Sequence, residues 1–248
     1  MPSFAFFDLD HTLLPFDTQT LFCNFVLRRE RWRTLRHLTF VPFALARALR
    51  LVPTVTAKRA FLNYLAGMRR ERLEAYARDF AEHEVLPWVY PEVRHLLEEH
   101  RRHGRILVLN TASPVFYAKE IARVLGFHHC IATQVETPEV MPYLPPVHGP
   151  NNKREAKIAA MKQAIPAVAE ADAATLADSW SYSDSSADLP LLEFAGHGVL
   201  VHPSAKLATI GQERGWQVLL PPRPYSSKVG DMFAALRQIF GLYPCKAR

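Results

Sequence analysis

The chain has 248 residues, 49% hydrophobic and 22% charged, a balance that excludes a disordered or fibrous protein and accommodates one large domain or a core with an insert. Its cysteines, Cys23, Cys130 and Cys245, stand far apart with no CxxC pair, which excludes a disulfide framework and points to a reducing, cytoplasmic setting. The net charge of +6 suits an anionic substrate or surface, whereas the lack of zinc-finger spacing or an aromatic-and-basic RNA motif argues against nucleic acid as partner.

The N-terminus shows no basic stretch followed by an apolar core of signal-peptide type, so no secretory signal is expected. Residues 3–9 predict a short buried strand that runs into two acids, Asp8 and Asp10. From Asp17 to Glu84 glycine almost disappears and apolar residues recur at helical spacing, which predicts three or four helices. A turn is expected at Val52-Pro53-Thr54, with Thr54 or Thr56 capping the next helix. A helix over 92–103 should close at Gly104, "RILVLN" (105–110) should be a strand, and a helix over 114–125 should close at Gly126. "CIATQV" predicts a strand, and the Pro-rich stretch 137–150 a loop or short hairpin. Helices are expected over 153–163, 188–194, 204–214 and 229–240, with strands at "SWSYS", "GVLVH" and "WQVLL". Strands alternating with helices predict an α/β fold with a mainly parallel, Rossmann-like sheet. The domain division is a core of 1–16 and 85–248 with an inserted all-helical cap of 17–84.

Open parallel sheets place ligands at the carboxyl ends of their strands. Asp8 and Asp10 follow the first strand, Thr111 and Ser113 follow "RILVLN", and Asp184, Ser185, Ser186 and Asp188 follow "SWSYS". If these strands are neighbours, the groups converge with a lysine from the 153–163 helix. Carboxylates, hydroxyls and a lysine suit magnesium and phosphate, because magnesium takes one or two carboxylates, waters and a phosphate. A carboxylate can then attack phosphorus while a second acid moves the proton. Taken singly, each cluster has an ordinary structural reading: a polar turn, a strand-end hydroxyl, a solvated lysine, a helix cap. A soft-metal site at His128, His129 and Cys130 lacks a completing cluster, and no GxSxG, GxGxxG or full P-loop occurs.

"DLDHTL", "LNTASP", "KREAK" and "SDSSAD", in that order, resemble the four motifs of the haloacid dehalogenase-like phosphohydrolases, subfamily IB, whose phosphoserine-phosphatase-like branch carries a C1-type helical cap after the first motif. The resemblance runs from Phe4 to about Lys206. It implies Asp8 as nucleophile and Asp10 as general acid and base that also gives magnesium its carbonyl. It further implies Thr12 as loop support, Thr111 and Lys157 as phosphate-binding groups, Asp184 as metal ligand and Asp188 as support for the metal or Lys157. Lys153 competes for the lysine role, and Lys157 is preferred because the family's lysine lies inside the helix. Ser183 stands where the branch commonly has glycine.

The cap normally sets the substrate. Phosphoserine phosphatases place an acid shortly after the first motif for the substrate's amino group, and Asp17 occupies that place. Their cap arginine for the substrate carboxylate aligns with apolar Phe61, leaving Arg59 as the nearest candidate. The expected partner is therefore a small phosphorylated metabolite, phosphoserine-like, with a phospholipid head group such as phosphatidylglycerol phosphate, or phosphoryl transfer to an alcohol, as alternatives. "LTFVPFALARALRLV" is too short and charged to span a bilayer; it is expected to pack within the cap bundle or on a second copy in a homodimer, with a seat on a membrane surface as the alternative.

Overall fold

A computed structural model describes residues 3–149 and 152–244, so Cys245 lies outside the described residues. They form a seven-stranded sheet of β1 (Phe4–Phe7), β2 (Ile106–Pro114), β3 (His129–Val135), β4 (Val147–His148), β5 (Trp180–Ser183), β6 (His197–Val201) and β7 (Gln217–Leu219), in the order β4-β3-β2-β1-β5-β6-β7. Every pairing is parallel except β3 with β4; the Pro-rich stretch is largely a loop that returns as β4 to pair with β3. β1 is apolar throughout because it lies at the centre, buried on both faces. Its partners are β2 and β5, which brings the three polar strand ends together.

Helices pack on both faces: Pro91–Arg102, Val115–Val124, Glu155–Ala164, Leu189–Phe194, Ala205–Glu213 and Lys228–Ile239 all lie within about two residues of expectation. Gly104 and Gly126 close their helices in the left-handed region, at φ of 70° each. Two short helices, Pro166–Ala169 and Ala173–Ala177, were not expected. β2 runs four residues past Asn110 through an irregularity between Asn110 and Pro114, so Thr111 and Ser113 belong to the strand's distorted end.

The insert begins with the helix Thr18–Arg29, continues as a helical rod from Thr34 to Ala48 and returns through Thr54–Phe61. Thr54 opens that last helix rather than capping it; Pro53 holds the cap position, and the Thr54 hydroxyl instead accepts from Arg47 Nε at 3.2 Å. Two features cross the expected boundary of the insert. The helix starting at Arg70 runs to Trp88, widening into a π-helical turn over Phe80–Val85, so residue 84 is no break. Residues 139–141, assigned to the core, are stitched to the insert by main-chain bonds: Gly67 N–H to Met141 O at 2.7 Å, Met141 N–H to Met68 O at 2.9 Å and Arg70 N–H to Glu139 O at 2.9 Å. One apolar cluster also runs from the sheet into the insert, with Phe22 packed on Phe116, Tyr117 and Phe80 at ring separations of 5.0–5.6 Å.

Candidate active site

Asp8 leaves the end of β1, its amide bonded to Tyr182 O of β5 at 3.0 Å. Lys157, on the helix Glu155–Ala164, reaches across with its ammonium 2.6 Å from Asp8 Oδ1 and 2.7 Å from Asp188 Oδ2, and is only 1% exposed. A buried ammonium with two carboxylates is strongly paired. Burial works to lower the Lys157 pKa, but Asp8 and Asp188 more than offset it and hold the amine charged. Lys153 instead lines the neighbouring cleft. Asp188 Oδ2 also accepts from the Ser183 hydroxyl at 2.9 Å, and that hydroxyl accepts the Ser185 amide at 3.2 Å. The residue standing in the glycine's place thus binds directly to the charged cluster.

Burial raises the pKa of Asp8 well above the usual carboxylate range; Lys157 opposes this, while Asp188, Asp184 and Asp10 add to it. Asp184 is pushed up to about 6, chiefly by burial, with His11 pulling the other way. Thr12 ties these two strand ends: its hydroxyl accepts the Asp184 amide at 3.1 Å and approaches Asp184 Oδ1 at 3.3 Å. His11, in the left-handed region at φ 58°, places Nδ1 3.4 Å from the Tyr225 hydroxyl.

Asp10 is held by three donors. The Thr18 amide and hydroxyl meet Oδ1 at 2.7 and 2.6 Å, and the Ser113 hydroxyl donates to Oδ2 at 2.8 Å. Thr111 is fully buried, and its hydroxyl accepts the Ser113 amide at 3.0 Å. The motifs place Ser113 beside Thr111 without a role and do not include Thr18. The available signal for Thr18 was its place directly after Asp17, where the helix begins.

A cleft of about 290 Å³ opens from Asp10 and Ser113 between core and insert, lined farther out by Asp17, Phe40, Lys58 and Phe61. Asp10 is the residue shared by the cleft and the carboxylate cluster. Asp17 caps the helix Thr18–Arg29, Oδ1 accepting the Gln19 and Thr20 amides at 2.8 and 3.1 Å. It is an exposed residue on the cleft wall; desolvation by the surrounding cleft, then the charge of Asp10, raises its pKa against the two amides and His11.

Arg59 does not face the cleft. Its guanidinium donates to the carbonyls of Leu144, at 2.7 and 3.2 Å, and Pro145, at 3.0 Å. Thr54, Ala57, Lys58 and Phe61 line the cleft at one-face helical spacing, which turns Arg59 aside and brings in Lys58. The Lys58 ammonium donates to Ala112 O and lies 3.4 Å from the Thr133 hydroxyl. Burial lowers its pKa to about 8, against the pull of Asp10 and Asp17.

The family model for haloacid dehalogenase-like hydrolases matches residues 5–193. The chain belongs to that family. Within it, a histidinol-phosphatase of Neisseria meningitidis is 29% identical over 164 residues, 64% of this chain and 73% of that protein. The crystal structure of a Bordetella pertussis protein with unknown function superposes at a TM-score of 0.74 with 30% identity, covering 89% of this chain and 99% of that one. A phosphoserine phosphatase with a phospho-aspartyl intermediate analogue matches at a TM-score of 0.58 with 13% identity over 90% and 94% of the chains, a likeness of fold.

Proposed function

We propose that this family member is a cytoplasmic phosphomonoester hydrolase that works through a phosphorylated Asp8, and that its substrate is a small alkyl phosphate carrying an ammonium group. The observation that carries the reading is the buried Lys157 ammonium bridging Asp8 and Asp188, with Asp10 fixed beside them by three donors. An Asp8 oxygen attacks phosphorus, and the bond from phosphorus to the ester oxygen breaks. Asp10 gives its proton to the departing alkoxide. Asp10 then takes a proton from water as the water oxygen attacks phosphorus, the Asp8–phosphorus bond breaks, and inorganic phosphate leaves. Lys157 balances charge on Asp8 and the incoming phosphoryl group.

The donor set fits magnesium, which the family generally uses. Among the described residues no three His, Cys, Asp or Glu side chains gather as a metal-holding group. Two carboxylates, Asp8 and Asp184, with the Asp10 main-chain carbonyl would hold magnesium, leaving room for water and the substrate phosphate in an oxygen shell of the kind it accepts. Burial, with neighbouring carboxylates adding to it, disfavours the charged forms of Asp8 and Asp184, a cost that a bound divalent ion would relieve. When bound, the ion neutralises charge on the phosphoryl oxygens.

The cleft supports the choice of substrate. Asp17 offers an anion to an ammonium group, and Phe40 with Phe61, edge to face at 5.1 Å, offers apolar ring surface. Among the described residues no arginine lines the cleft, so none of them supplies the bidentate carboxylate clamp that phosphoserine would call for. Histidinol phosphate, which has an ammonium group and a flat ring but no carboxylate, fits these walls, in keeping with the histidinol-phosphatase relative. The test is a steady-state comparison of histidinol phosphate with phosphoserine. We expect a higher kcat/KM for histidinol phosphate, loss of turnover in a chelator with recovery on adding magnesium, and a drop of at least about 10³-fold in Asp8→Asn with the fold intact. Near-normal turnover by Asp8→Asn would overturn the nucleophile assignment.

A further inference from the structure

The helical rod from Thr34 to Ala48 has two unlike sides. Inward, His37 and Phe40 pack on Phe61, each at 5.1 Å between ring centroids. Outward, Leu38, Val41, Leu45 and Leu49 follow one another at spacings of three, four and four, one stripe of a helix. They are 47, 44, 63 and 70% exposed, and the segment Val41–Ala48 contains no buried residue. Leu35 and Leu51, both 73% exposed, extend the patch at either end, and Trp32 stands half exposed beside it. Scattered apolar residues on a surface are ordinary, but a contiguous patch of this kind marks an interaction site.

Charge identifies the partner. Residues 31–70 contain nine Lys and Arg and no Asp or Glu. Arg31, Arg47 and Arg50 are exposed along the rod and its end. Arg50 closes the helix in the left-handed region at φ 61°, a conformation unfavourable for a side chain and free for glycine. An arginine kept there places charge at the patch against the local conformational preference. A second copy related by a two-fold axis would bring these arginines against one another with no acid in the segment to answer them. A surface that is both anionic and apolar answers both features.

We propose that the outer face of the rod, Leu38, Val41, Leu45 and Leu49 with Arg47 and Arg50, seats on an anionic lipid bilayer as a surface anchor. No described helix is long and apolar enough to cross a membrane, so the face lies in the interface plane, leucines toward the acyl boundary and arginines at the phosphates. The anchor does not depend on the reading of the cleft, since neither Leu45 nor Leu49 lines it.

The experiment is flotation of the full chain with phosphatidylcholine vesicles and with vesicles containing phosphatidylglycerol. At about 0.1 M salt, where screening length is about 10 Å, the protein is expected to float with the anionic vesicles and stay behind with the neutral ones. Raising the salt should release it. Arg50→Gly relaxes the left-handed turn, so it should keep or raise Tm while lowering vesicle affinity about fivefold. Leu45→Glu with Leu49→Glu should lower affinity at least tenfold with turnover of soluble substrate unchanged. No flotation with anionic vesicles, or equal flotation by the double variant, overturns the proposal. So does a dimer in sedimentation that the double variant dissolves, since the face would then belong to a second copy.

Discussion

Asp188 spends one oxygen on two donors, the Lys157 ammonium and the Ser183 hydroxyl. Ser183→Gly removes the neutral donor and leaves the charged one, so Asp188 loses one constraint on its orientation. A single buried hydrogen bond is worth about 0.5–1.5 kcal/mol, and we expect kcat to fall about threefold to tenfold with KM unchanged. Ser183→Thr keeps the hydroxyl and should restore kcat, which would separate positioning from mere loss of packing. Asp184 makes a different prediction. Burial holds its folded pKa near 6, above its ordinary value, so the folded protein binds this proton more tightly than the unfolded chain does. Stability on this account is greatest at low pH and declines as pH rises toward and through about 6. In chelator at pH 7.5, Asp184→Asn should therefore raise Tm by about 2–4 °C, a gain that shrinks as pH falls from about 6 toward 4. Thermal melts at both pH values read this directly.

Asp17 does two jobs at one helix end. It caps Thr18–Arg29 and it faces the cleft. Asp17→Asn keeps an oxygen for the Gln19 and Thr20 amides while removing the charge, so KM for an ammonium-bearing substrate should rise about tenfold with Tm little changed. Asp17→Ala removes both and should cost a further 1 kcal/mol or so of stability; parallel kinetics and melts separate the two effects. Elements also explain which candidates could be read from sequence. The first and fourth motif acids are fixed by strand ends, where an apolar run stops at polar residues, and that pattern is plain in "FAFFDLD" and "SWSYSD". Lys58 and Arg59 differ by one position on a helix, about 100° of rotation. Alignment of neighbouring sequence chose Arg59; the spacing of Thr54, Ala57 and Phe61 chooses Lys58. Thr111 and Ser113 interrupt the apolar run of β2 where its pairing with β3 shifts register, and pairing resumes at Pro114, so the strand continues past the place where hydropathy ends it.

At the scale of the whole molecule, the alternation of strands and helices was enough to name the sheet, because central parallel strands must be apolar on both faces. The order of those strands is a property of crossovers that no local pattern carries. Convergence of Asp8, Lys157, Asp184 and Asp188 depends on it, since β5 comes to lie beside β1 from 173 residues away in the chain. The expected boundary of the insert has no counterpart in a helix end. Composition changes near residue 84, but the helix from Arg70 to Trp88 carries through the change. The rings of Phe22, Phe80, Phe116 and Tyr117 join both parts in one core. Hydropathy reports that a residue is buried and not which neighbour buries it.

The main-chain stitching of Gly67, Met68 and Arg70 to residues 139–141 bears on what can enter. Lifting the insert away whole would break those bonds and open the shared ring core to water. The opposite edge, at Phe40 and Lys58, meets the core through side chains, Lys58 on Ala112 and Thr133. Parting that one edge would leave the main-chain bonds intact, so we expect turnover of compact phosphate esters and none of phosphorylated loops on folded proteins, which assays on a phosphorylated metabolite and a phosphoprotein check.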